Sequence, residues 1–155
     1  MEKAIATALM IIASVVAVLA IINAVMPAVG RGNSALASSN IQAADRIRTS
    51  LEIVYVSGDS AGLTVVAWIK NTGSTVVKPV SSSDVIIQTP STIQRLPYGS
   101  GSGKWVYVLE DSATDWGPTN TAKITLTLTS MPAGVYTLSF IAPNGIKVSE
   151  IFSVA

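Results

Sequence analysis

From Ala4 to Ile22 the chain carries no charged side chain: AIATALMIIASVVAVLAII. Thr7 and Ser14 are the only polar side chains in that run. Each hydroxyl can bond back to a carbonyl one turn earlier, so neither breaks a helix. Asn23 interrupts, and AVMPAVG then continues the apolar run to Gly30. About 19–26 helical residues at a rise of about 1.5 Å span roughly 28–39 Å, enough to cross a bilayer core. Apolar residues fall on every face, so such a helix requires burial all round. Ile5, Leu9, Ile12, Val16, Leu19 and Ile22 are the positions expected to form its packing core. The many alanines between them allow close approach of other helices, although alanine is also simply a good helix former.

Pro27 removes a backbone donor, and Gly30 and Gly32 weaken the following turn. A bend is therefore expected at Pro27 and Gly30. A second helical pattern follows from about Ser34 to Ser50. Leu36, Ile41 with Ala44, Ile47 and Leu51 form a narrow apolar stripe, and Ser38, Gln42, Asp45, Arg46 and Arg48 occupy the other faces. That pattern predicts a helix leaving the apolar layer and packing one side against a partner.

From Leu51 the period changes. LEIVYV, LTVVAWIK, STVVKP, DVIIQT, KWVYVLE, AKITLTLT, GVYTLSFIA and IKVSEIFSV are β-branched and aromatic runs. SGDSAG, NTG, KPVSSSD, PYGSGSG, GPTN, MPAG and PNG divide them. Glycine supplies positive φ, proline presets φ, and Asn and Asp bond their own backbone, so these segments predict turns. In AKITLTLT, Ile124, Leu126 and Leu128 alternate with threonines and should face a core. Short strands at this spacing predict an antiparallel sandwich, and PNG predicts a hairpin. The fold class is thus α+β: a long N-terminal hydrophobic helix over residues 1–50, then a β-sandwich head over residues 51–155.

Composition narrows the function. Only 12% of residues are charged and 49% are hydrophobic, where soluble domains carry about 25% charged residues. The net charge of +1 and the absence of a basic cluster argue against nucleic acid as a partner. Cysteine and histidine are both missing. That excludes disulfides, thiolate nucleophiles, zinc-thiolate sites and histidine-based catalysis. Glu110, Asp111 and Asp115 lie close together in EDSATDW. Their spacing matches no calcium loop, and solvated loop carboxylates are the better reading. GSGSGKW lacks the P-loop spacing. Trp68 is expected in the core, and Trp116, in a loop, at a contact. Asn71 and Asn120 are each followed directly by Thr and form no N-glycosylation sequon. No catalytic, cofactor or metal residue is singled out, and an enzyme is not expected.

The apolar N-terminus admits three readings: a cleaved signal, a membrane anchor or a filament-core helix. A signal's apolar region runs about 7–15 residues, shorter than this one. Met1 is read as retained, so cleavage is not expected.

The pairing of such a helix with a β-sandwich resembles the archaellins, the subunits of the archaeal motility filament, and the accessory stator-like pilins that share their plan. VVAWIKNTGSTVV, from Val65 to Val77, is similar to a strand–turn–strand element common in those proteins. DVIIQT, TNTAKITLTL and GVYTLSFIAPNGIKVSEIFSV resemble their later strands. Two departures stand out. No basic leader precedes Met1, and Ile5 stands where bacterial type IV pilins usually carry Glu. The second favours the archaellum side.

The resemblance implies an immunoglobulin-like head and a structural subunit of an extracellular helical motility filament, polymerising with itself through the helix. The membrane before assembly and the archaellum assembly machinery would be its partners. The alternative it implies is an accessory stator, or a minor or adhesive pilin, anchored by the helix and binding an envelope layer through the head. A different anchored β-domain stands third. On the filament reading, Val16→Asp or Leu19→Asp abolishes assembly while a head fragment from about Leu51 stays folded. Normal filaments from either mutant, seen by electron microscopy, would overturn it.

Overall fold

The computed structural model describes residues 2–89 and 91–155. Met1, on which the expectation of a retained N-terminus rests, lies outside the described residues, as does the side chain of Asp111. One helix, α1, runs from Glu2 to Arg48 with Pro27 inside it. The separate helical pattern expected from Ser34 is therefore continuous with the apolar segment. The physical reason is cooperativity: proline removes one donor and a glycine costs about 1 kcal/mol, while the turns on either side remain bonded. The hydroxyls reinforce this. Thr7 donates to the Lys3 carbonyl at 2.8 Å, Ser14 to Ile11 at 2.8 Å, and Ser34 and Ser38 to Gly30 and Ser34 at 3.0 Å each.

The chain divides into two compact units, Met1–Gln42 and Ala43–Ala155. The first is helix alone. Ile5, Leu9, Ile12, Val16, Leu19 and Ile22 are all exposed on it, between 45% for Ile22 and 62% for Leu9.

The second unit holds the last helical turn and, among the described residues, eight strands. These are β1 (Leu51–Asp59), β2 (Thr64–Asn71), β3 (Asp84–Gln88), β4 (Ile93–Leu96), β5 (Lys104–Leu109), β6 (Thr121–Thr127), β7 (Gly134–Ile141) and β8 (Lys147–Val154). They form two four-stranded sheets, in the orders β1-β2-β6-β5 and β4-β3-β7-β8. Every paired strand is antiparallel. The alternation read in β6 holds: Ile124, Leu126 and Leu128 are buried.

Between the sheets, Phe140 of β7 meets Trp105 of β5 edge-on at 6.2 Å and Trp116 edge-on at 5.5 Å. This aromatic trio ties one sheet to the other, since such pairs contribute beyond the area they bury. The Tyr136 hydroxyl donates to the Pro132 carbonyl at 2.6 Å, so its polar end is satisfied inside the core.

Two expectations are corrected here. Trp116, expected at a contact, is 1% exposed and lies in the core. Trp68, expected in the core, is half-buried on the outer sheet face, 5.7 Å from Tyr55 and 5.5 Å from the Lys123 ammonium. Parity explains it: in β2 the alternating Val65, Ala67 and Ile69 point inward, which sends Trp68 outward. STVVKP is not a strand. Val77 makes one bridge to Trp116, and Val77 and Val80 plug the core from a loop. β4 was not legible because Ile93, Gln94 and Arg95 all face solvent on a sheet edge.

Phe140→Ala should destabilise the head by about 3–5 kcal/mol, the usual range for emptying an aromatic core site. Urea unfolding followed by tryptophan fluorescence measures it.

Candidate functional site at the last helical turn

Among the described residues, no group of metal-ligating side chains converges. Arg95 pairs with Asp84 on the exposed edge of β3 and β4, a setting where ion pairs contribute little. Beside the last helical turn an open cleft of about 320 Å³ carries one carboxylate, Asp45, and one ammonium, Lys78.

Where polar groups do converge is on Thr49. Its hydroxyl donates to the Asp45 carbonyl at 2.7 Å and accepts from Asn144 Nδ2 at 2.7 Å. Thr75 Oγ1 lies 2.8 Å away. A hydroxyl has one hydrogen and two lone pairs. The hydrogen is committed to Asp45, so the Thr75 hydroxyl donates and the Thr49 oxygen is saturated. Thr49 is 7% exposed, so water does not compete freely for these bonds.

The surrounding backbone closes the rest. A helix leaves its last carbonyls without partners. The Arg48 carbonyl accepts from the Ser74 amide at 2.9 Å, and the Ser50 carbonyl accepts from Thr72 and Gly73 amides at 2.9 and 3.0 Å. Thr72 Oγ1 donates to Ser50 Oγ at 2.9 Å. Arg46 Nε donates to the Asn144 carbonyl at 2.7 Å. Arg46 and Arg48 also place positive charge in the last turn, where the helix dipole is negative.

Two glycines are required here. A Cβ on Gly73 would fall inside contact distance of the Arg48 carbonyl oxygen and 2.5 Å from the Ser50 amide nitrogen. Gly145 holds φ at +83° in the β7–β8 hairpin, with Arg46 packed over it. Asn71, fully buried, donates to the Thr75 and Trp116 carbonyls at 2.7 and 3.1 Å and accepts from the Gly73 amide at 3.0 Å. The Asn-Thr-Gly turn thus shapes the loop that receives the end of α1.

NTG and PNG read as turns in the sequence, which does not show that PNG closes on Thr49 and NTG on Ser50 beside it. The local signal was present, two Asn-containing turns and a Thr just past a helix end. Their meeting is long-range. The predicted packing residues, Ile5 to Ile22, lie in the other unit. Pro27 and Gly30 likewise lie in that unit, within α1.

No family model matches the chain. An uncharacterized protein of Archaeoglobus fulgidus is 31% identical over 161 aligned positions, covering 98% of both chains. Among solved structures, the archaellum periplasmic stator protein FlaG from Sulfolobus acidocaldarius is 31% identical, with a TM-score of 0.59. That match covers 67% of this chain and 99% of the other. The chain belongs to the archaellum FlaG family. The stator protein complex of FlaF and FlaG from the same organism also matches, at 30% identity and a TM-score of 0.57, over 66% of this chain and 87% of the other. Membership in the FlaG family accounts for the antiparallel β-sandwich fold.

Gly73→Ala should destabilise the head by roughly 3 kcal/mol, the upper end for forcing atoms into a packed site. Gly32→Ala, whose new Cβ would meet nothing within 4 Å, should stabilise the helix by up to about 1 kcal/mol. Thermal unfolding of the two variants side by side measures the contrast.

Proposed function

We propose that this chain is an accessory, stator-type subunit of the archaellum. The apolar stretch Ala4–Gly30 anchors it in the membrane, and the sandwich works outside the membrane. The observation that carries the reading is the FlaG likeness, which spans 99% of that protein. The exposed apolar helix supports the anchor: its backbone bonds are satisfied internally, which lipid demands. It is also long and apolar enough to cross a bilayer.

The filament reading receives less support. The similar solved structures are stator proteins, and neither self-polymerisation nor an extracellular filament location follows from them. The closeness of the two readings has a physical source. A helix apolar on every face suits a filament core and a lipid bilayer equally, because both are dry and both accept its side chains. By analogy with the complex of FlaF and FlaG, the head engages a FlaF-type protein of the same machinery. The subunit positions other components and catalyses nothing.

Shearing cells and fractionating them tests the assignment. The chain should stay with washed membranes and be a trace component of sheared filaments. A preparation in which it is the dominant filament protein would return the filament reading. Val16→Asp with Leu19→Asp should release it from alkaline-washed membranes, since each Asp near a helix centre opposes insertion by roughly 2.5–3.5 kcal/mol.

A further inference from the structure

We infer that the Thr49 node is what fastens the last helical turn, Ala43 onward, to the two sheets of the head under load. The inference rests on the stator reading above and adds the place where such a subunit resists load.

A stator component is useful only if force on its head reaches its anchor. A flexible linker would absorb that force as chain extension, because a polar, Gly-rich segment behaves as a loose coil. No such segment stands between the last helical turn and β1. α1 is assigned without a break to Arg48, and β1 begins at Leu51. Only Thr49 and Ser50 lie between them, and both are bonded. Thr49 holds Asp45, Asn144 and Thr75 through one oxygen. Ser50 accepts through its carbonyl and its hydroxyl oxygen.

The tethers also run in different directions. Asn144 belongs to the β7–β8 hairpin, in one sheet, while Thr72, Gly73, Ser74 and Thr75 belong to the loop leaving β2, in the other. The last helical turn is therefore held from both sheets at once. Stretching it away from either one breaks bonds to the other. Bonds sharing one oxygen polarise and constrain each other, so Thr49 acts as a node and not as one contact among several. Gly73 lets the two backbones cross too closely for a side chain, which leaves little room for slippage.

Thr49→Val tests this, because it keeps the shape and removes the hydroxyl. Thr49→Ser, which keeps the hydroxyl, is the rescue variant. Hydrogen exchange on the full-length chain in detergent micelles reads the joint. In Thr49→Val the Gly73 and Ser74 amides should exchange about tenfold faster or more, the equivalent of one orphaned buried bond. The Leu126 amide in the sheet core should not change. Cells carrying Thr49→Val should hold native amounts of the chain in the membrane and swim poorly, and Thr49→Ser should restore swimming.

Normal swimming with a loosened joint would overturn the inference and leave the stator reading intact. So would unchanged exchange at Gly73 and Ser74. Equal acceleration at Leu126 would make Thr49 a general stability residue and would also overturn it. Normal swimming by cells that lack the chain entirely would instead remove the stator reading beneath it.

Discussion

Water does not hold the N-terminal helix. Its apolar side chains stand on every face, and a single helix buries none of them within itself. Burying an Ile, Leu or Val side chain is favourable by about 1.5–3 kcal/mol. Ile5, Leu9, Ile12, Val16, Leu19 and Ile22 alone therefore favour a dry environment by on the order of 10 kcal/mol. The molecule is organised around this demand. One part satisfies only its own backbone and leaves its side chains to the surroundings. The other part must fold without any help from it.

The head meets that condition with a core of its own. Phe140 between Trp105 and Trp116 fastens the two sheets, and inward-facing β-branched and Leu residues fill the remaining volume. Because the head is complete in itself, the end of α1 can be attached to its surface by hydrogen bonds instead of by apolar burial. That is the chemistry found at Thr49, Asn144 and Thr75. Polar tethers are directional where apolar contacts are not, so they set geometry as well as adding stability.

The helix could not discriminate between the roles that its sequence suggested. Nothing in AIATALMIIASVVAVLAII distinguishes a neighbouring helix from a lipid tail. The sequence and shape of the chain match FlaG over 67% of its length. VVAWIKNTGSTVV pointed to the archaellum as a system, and the structure supplies its physical meaning. Asn71 organises the turn, and Gly73 makes room for the end of the helix.

The sequence by itself determined whatever depends on local periodicity. A charge-free run predicts an all-apolar helix, period-two alternation predicts strands such as β6, and Pro-Asn-Gly predicts the β7–β8 hairpin. Missing histidine and cysteine removed whole classes of chemistry before any fold was considered. Only the tertiary structure decided the rest, because the rest depends on residues distant in sequence. β4 is a strand through pairing with β3 and not through its own composition. Trp68 and Trp116 exchanged their expected places because strand parity and loop packing, not residue type, assign a face. Thr49 reads in sequence as an ordinary residue after a helix. It becomes a node only when Asn144, 95 positions later, is brought to its hydroxyl by the folding of everything between.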